Sequence, residues 1–270
     1  MLPRPASELD VTLSPGRLTW IRRERRWLRA IPAATSNRPV AASPDRPAWE
    51  PAIDVLAEVL QQERLPAGSI VNVVLSNHFV RYTLVPWNDL LTDAHERLAY
   101  AGRSFHAIYG DLVAGWDVRL SNDRYGTPAI ASAMDKSLLD ALARTTTAHG
   151  LRLGSVQPYF MTAFNRFRQQ LVGRGAFVVV EPGRLVVGTH EPDRWRWIGS
   201  ARSVAGSDLL GQVQQLLYQG QQWDITSIAV YSDTAWDDAR TAASTLSVTH
   251  LFDAPSLSGL ETLTAMGEGQ

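Results

Sequence analysis

The chain contains no cysteine, which removes disulfide frameworks, thiol nucleophiles and Cys-based zinc or iron–sulfur sites together. Lysine is nearly absent too: of 26 basic residues 25 are arginine, and Lys136 is the exception. Because Asp135 precedes it, a phosphate-binding loop ending in Gly-Lys-Ser/Thr is impossible. A lysine Schiff base would have this one candidate, on what reads as an exposed first helical turn. No apolar run approaches the ~18 residues of a membrane span. The N-terminal MLPRPASELDV lacks the apolar stretch of a secretory signal, so the expectation is a cytoplasmic protein. A net charge of −1 disfavours a polyanion binder, and no nucleic-acid partner is expected. What remains is an ordinary globular chain of 270 residues, 45% hydrophobic and 20% charged, long enough for two domains or one large one.

Charge is unevenly spread. Residues 17–46 hold eight arginines against Glu24 and Asp45, and residues 208–270 hold eight acids against Arg240. These segments read either as solvated faces or as docking surfaces for oppositely charged partners or anionic lipid.

The strongest signal is an internal repeat. Residues 9–31 (LDVTLSPGRLTWIRRERRWLRAI) and 176–198 (AFVVVEPGRLVVGTHEPDRWRWI) each give an apolar strand, the tetrapeptide Pro-Gly-Arg-Leu, a second strand, a charged turn and a third strand. Proline followed by glycine between β-rich runs marks a tight turn. A helix then follows in both halves. Ile53, Leu56, Ala57 and Leu60 recur at helical spacing over 50–64, and Leu209, Leu210, Val213, Leu216 and Leu217 over 207–219. Buried-type strands close each unit at 69–75 and 225–231.

Between the halves stands a βαββα segment over 79–149. It comprises a strand at 79–85, a helix at 90–108 carrying Leu91, Ala94, Leu98, Ala101 and Phe105 on one face, a hairpin of 116–120 and 128–134, and a helix at 136–149. Residues 151–156 read as the last strand of the first half and 158–171 as the helix joining the halves. The stretch 32–47, rich in Pro, Ala, Ser and Asn, reads as a linker, and the tail after Ser256 as one short helix. The expected domains are 1–168, including the insertion 79–149, and 169–270.

Local motifs carry little chemistry. His95-Glu96 lacks the second histidine of a zinc-protease helix, since position 99 is alanine. Residues 102–106 end in histidine where a nucleophile elbow needs glycine. Gly173-Arg174-Gly175 precedes a strand, whereas a dinucleotide loop follows one. Trp20, Trp27, Trp195 and Trp197 occupy repeat-equivalent strands and read as core packing, not as a base-stacking platform. Asp10 stands mid-strand, and the spacing sets no partner carboxylates beside it.

The doubled unit with an insertion in its first copy resembles the actin-like ATPases: two ribonuclease H-like α/β subdomains. Within them the chain is similar to the pilus and secretion branch, the PilM and MshI proteins of type IV pili and the cytoplasmic domain of GspL of type II secretion. The likeness lies in residues 73–87 (VVLSNHFVRYTLVPW), the helix at 90–108 and Asp111. In actin-like ATPases each first hairpin turn carries Asp-x-Gly, whose carboxylate works through magnesium while backbone N–H groups hold phosphates. Here the turns read Ser14-Pro15-Gly16-Arg17 and Glu181-Pro182-Gly183-Arg184. The first has lost its carboxylate, the second has a longer one, and proline removes a donor from both. No Gly-Gly adenosine motif follows Tyr231.

The resemblance therefore implies a non-catalytic scaffold with no required cofactor, Mg-ATP being disfavoured. It implies an inner-membrane pilus or secretion assembly protein, through its cytoplasmic tail, as partner, and an assembly ATPase as another. The chain would sit at the inner face of the inner membrane. The vestigial nucleotide residues would be Ser14, Gly16, Arg17, Glu181, Gly183 and Arg184. Partner-binding residues would be Phe79, Arg81, Tyr82, Trp87, Leu91 and Leu98 on the insertion, with core packing the competing role for Phe79, Tyr82 and Trp87. The alternative is an active actin-like ATPase with degenerate motifs.

Overall fold

The computed structural model describes residues 7–26, 29–32, 35–91, 93–121, 124–203, 208–232 and 247–251. The expected tail helix and the positions after Ser232 where an adenosine motif was sought lie outside them. The described residues form two compact units: one runs to Phe79 and resumes over Asp135–Thr162, the other holds Val80–Met134 and everything from Ala163 on.

In the first unit, β1 (Ser7–Leu13) and β2 (Arg17–Arg26) form a hairpin, with Leu13 opposite Leu18. β3 (Arg29–Pro32) and β4 (Ser36–Pro39) follow, then α1 (Glu50–Glu63) and β5 (Ile70–Leu75), which lies parallel to β1. Strict alternation buries Leu9, Val11, Leu13, Val71, Val73 and Leu75 on one face. α1 starts with Pro51 in its first turn and seals this face with Ala52, Ile53, Leu56, Val59 and Leu60.

Part of the expected linker is sheet. Residues 36–39 pair with the first turn-proximal stretch of β2 (Arg17 opposite Pro39, Trp20 opposite Ser36), while β3 pairs with its far end. Ten residues of β2 are long enough to carry two four-residue strands end to end, and each of those strands ends in proline, where no ladder donor is needed.

The arginine-rich segment is answered from within this unit. Arg38 donates to Glu58 (2.9 Å) and Gln62 (2.6 Å), and Arg46 bonds Glu50 (2.8 Å) and Asp54 (2.7 Å). Arg22 reaches the Glu63 carbonyl at 3.2 Å. Arg22, Arg38 and Arg46 are thus met by the acidic flank of α1.

After β5 the chain builds the inserted elements β6 (Val80–Val85), α2 (Ala94–Tyr109), β7 (Trp116–Leu120) and β8 (Ala129–Asp135). It then returns to the first unit through α3 (Lys136–Ala148) and β9 (Arg152–Pro158). α3 packs on α1 and β9, and β9 runs parallel to β5. A parallel pair needs a crossover, and α3 supplies it, so the segment 79–149 divides into a βαββ unit and this crossover helix. The sheet order is β3-β2-β1-β5-β9, with β4 beside β2.

α4 (Tyr159–Phe167) follows directly. The second unit then repeats the plan with β10 (Gly175–Glu181), β11 (Arg184–Glu191), β12 (Arg194–Ala201), α5 (Leu209–Gln219), β13 (Ser227–Ser232) and β14 (Ser247–His250). Its order, β12-β11-β10-β13-β14, reproduces the first sheet strand for strand, with β10 antiparallel to β11 and parallel to β13. Gly16 and Gly183 occupy the corresponding turns. α5, capped by Asp208 on the Gly211 N–H, packs Leu210, Val213, Leu216 and Leu217 onto Val178, Val180, Leu185, Val187 and Ile228.

The inserted elements make a separate three-stranded sheet, β6-β8-β7. α2 closes its core of Val85, Ala101, Phe105, Ala131 and Ala133, and β6 lies alongside β12. Among the described residues no helix is long and apolar enough to cross a membrane.

Candidate functional site

The two first-hairpin turns are built differently. In the first, the Ser14 hydroxyl donates to the Arg17 carbonyl (2.7 Å) and accepts from the Arg17 N–H (3.2 Å), so it is spent on closing its own turn. The Gly16 carbonyl accepts from the Val40 N–H at 3.0 Å, tying the turn to the end of β4. Gly16 and Arg17 are exposed. In the second, Glu181 and Arg184 face each other across Pro182-Gly183. Gly183 has φ +81°, as a type II turn with proline at its second position requires.

Glu181 is only 5% exposed. The Arg184 guanidinium donates to the Ser200 hydroxyl of β12 at 2.9 Å. Burial, followed by the positive charge of Arg81, holds its pKa below the usual value. Arg81 of β6 and Arg184 of the β10–β11 turn, assigned by sequence to separate sites, therefore sit within electrostatic reach of each other, with Tyr82 and Tyr109 nearby.

The insertion residues scatter more than expected. Phe79 precedes β6, its N–H bonded to the Ser76 carbonyl at 2.9 Å. α2 begins only at Ala94, because Asp93 caps it by accepting from the His95 N–H at 3.2 Å. Leu91 therefore lies ahead of the helix, off the face where the periodicity set it. Leu98 is on α2 and half-buried. Trp87 is held on three sides: its indole N–H donates to Asp89 (2.7 Å), Tyr125 meets it edge-on (4.5 Å) and Arg97 stacks over it (4.9 Å). β12 comes close to β6, but β6 is hydrogen-bonded as an edge strand of its own sheet, with β8 as its ladder partner.

Asp10 belongs to a polar ladder within the first sheet. It pairs with Arg23 (2.8 Å) and accepts from Asn72 (3.0 Å), which in turn accepts from Ser155 (3.1 Å). This arrangement orders strands and holds no second carboxylate.

No protein-family model and no curated protein sequence matches the chain. Solved structures do match in shape. The PilM–PilN type IV pilus biogenesis complex aligns with a TM-score of 0.63 at 12% identity, covering 92% of this chain and 89% of that one. A Bacteroides thetaiotaomicron protein with an actin-like ATPase fold and unknown function gives 0.61 at 11%, over 92% and 91%. The cytoplasmic domain of EpsL, an inner-membrane component of the Vibrio cholerae type II secretion system, gives 0.57 at 12%, over 96% and 93%. The chain has the actin-like ATPase fold.

Sequence reasoning missed one feature of this actin-like fold: a cavity of about 720 Å³ in the second unit. It lies at the end of β11 away from the Glu181–Arg184 turn, about 20 Å along the strand at ~3.3 Å per residue. Phe164, Leu171, His190 and Trp195 form its wall and Arg168 and Arg194 part of its mouth. Phe164 and Trp195 lie 4.2 Å apart between centroids. The available signal was the charged turn after the second repeat strand, Glu191-Pro192-Asp193-Arg194, preceded by a histidine in an otherwise apolar run.

His190 is 6% exposed, and burial lowers its basicity against a hydrogen bond with the Gly173 backbone. A ring kept neutral by the fold binds fewer protons than it does in the unfolded chain. Its contribution to stability is therefore complete above the ordinary value of about 6.5 and is lost as pH falls below it. Urea titrations at pH 7.5 and 5.5 are expected to show a smaller acid-induced loss of stability for His190→Gln than for the parent. Equal losses would mean that the ring titrates as in water.

Proposed function

We propose that the chain is a non-catalytic scaffold of a type IV pilus or type II secretion apparatus, working at the cytoplasmic face of the inner membrane. It would bind the cytoplasmic tail of a membrane protein there, together with an assembly ATPase. The observation that carries this reading is the chemistry of the two turns in an actin-like fold shared with PilM and EpsL. Ser14 stands where magnesium needs a carboxylate and uses its hydroxyl on Arg17. Pro15 and Pro182 offer no N–H to a phosphate, and Arg184 is engaged with Ser200.

The partner surface in this reading is the outward side of the insertion around Trp87 and Leu98. Its apolar character extends through Ile108 and Leu112, which are 63% and 69% exposed. A tail docked there would bury these side chains, and a rim such as Arg97 and Arg103 would speed encounter more than it adds affinity.

Two measurements test the proposal together. A bound nucleotide at 100-fold excess over its Kd stabilises by about 2.7 kcal/mol, so millimolar Mg-ATP is expected to leave the thermal midpoint unchanged. Immobilised protein is expected to retain a membrane protein from solubilised inner membranes, and Leu98→Arg with Trp87→Ala is expected to lose it. ATP turnover abolished by Glu181→Gln would overturn the scaffold reading in favour of an enzyme.

A further inference from the structure

The cavity in the second unit lies at the opposite end of β11 from the Glu181–Arg184 turn and is unused by the reading above. Its surroundings are cationic. Arg124 pairs with Asp193 at 2.8 Å, and Arg194 with Glu191 at 3.3 Å. Arg174 and Arg196 converge on Glu191 (3.9 and 3.4 Å) and also on Asp224. Of the residues that line the cavity itself, Arg124, Arg168 and Arg194 stand against Glu191 and Asp193, and Arg168 has no ion pair among the described residues. This local excess of positive charge sits in a chain whose net charge is −1. The wall beneath is apolar and aromatic. At the rim Val172 is 86% exposed.

We propose that this cavity is a docking socket for an acidic peptide segment of another protein, which seats one bulky apolar side chain against Phe164, Leu171 and Trp195 and lays its carboxylates on Arg168 and Arg124. The volume lies within the range of preformed ligand pockets, about 300–1,000 Å³, and is larger than a single aromatic side chain requires. Next to Arg124 in the chain, Tyr125 is 83% exposed and its ring meets Trp87 edge-on, so an extended segment leaving the cavity at Arg124 has further apolar surface to cover, which a compact metabolite could not use. Planar guanidinium groups match carboxylates in two-point geometry, so arginine suits this role better than lysine. The site goes beyond the scaffold reading and stands whether or not the turns bind nucleotide.

The test pans a displayed library of random dodecapeptides on the full chain, with counter-selection on Arg168→Glu/Val172→Asp. Both substituted side chains are exposed, so this variant is expected to keep the parent thermal midpoint. Enriched peptides should carry two or more acids beside an aromatic or branched apolar residue. A fluorescein-labelled representative should bind at least 10-fold more weakly to the variant and lose affinity as salt rises. Peptides that replace its acids with lysine, or its apolar anchor with serine, should lose the same factor. Failure to enrich, or equal binding to parent and variant, would overturn the proposal. So would retention of the chain by phosphatidylglycerol vesicles, or a concentration-dependent dimer, if the same variant abolishes it, since the face would then belong to lipid or to a second copy.

Discussion

Replacing Phe105 with alanine is expected to lower stability by about 3–5 kcal/mol, the usual cost of truncating a fully buried phenylalanine. Phe105 has no exposed surface and is the largest side chain in the small core beneath α2. Its ring meets Trp116 edge-on at 6.2 Å and Tyr109 at 6.4 Å, so the substitution removes the hub of an aromatic cluster as well as apolar area. The other buried members of that core are valine and alanine, which cannot relax far into the void. Urea unfolding followed by tryptophan fluorescence would measure the loss directly, because Trp116 reports on this cluster. The same variant is expected to abolish capture of the membrane partner, since the proposed surface is carried by α2. A cost under 1 kcal/mol would mean that α2 is held to its sheet by something other than Phe105.

Gly220→Val is expected to destabilise the second unit by about 1–3 kcal/mol through overpacking. The obstacle is spatial and not conformational: Gly220 ends α5 at φ −79°, which any residue adopts. A Cβ there would lie 2.7 Å from Cζ2 and 2.8 Å from Nε1 of Trp197. A Cβ on Gly199 would strike the far edge of the same indole, so the ring is held between two glycines, one on β12 and one at the end of the helix. The ring cannot yield toward either side without meeting the other. Trp197→Leu should therefore relieve most of the penalty of Gly220→Val, and a double-mutant cycle should give a coupling of at least about 1 kcal/mol. Additive effects would show that Trp197 is not the neighbour that matters.

How much of this was readable beforehand differs from element to element. Pro-Gly-Arg-Leu between two β-rich runs located both hairpins, and the stripes Ile53–Leu56–Leu60 and Leu210–Val213–Leu217 located α1 and α5. These are short-range signals, written within one strand or a few helical turns. Ser36–Pro39 has no alternation to read; it is a strand only because β2 leaves a free stretch of edge for it. Leu91 looked helical by spacing, but Asp93 captures the helix start locally. From the sequence the arginine-rich segment could be a solvated face or a docking surface; only the fold shows that Arg38 meets an acid of α1, Glu58, 20 residues away.

The chain itself determined the repeated succession of elements, the absence of thiol and phosphate-loop chemistry and the altered turns, because backbone periodicity and residue identity are local properties. Tertiary structure alone decided that α3 is a crossover of the first sheet, that β6 is flanked by β12, that Arg81 stands near Arg184, and that a cavity forms from Phe164, His190 and Trp195. Each of these depends on which edges and faces meet after long-range pairing, and alternation within a segment carries no information about its neighbour across the sheet.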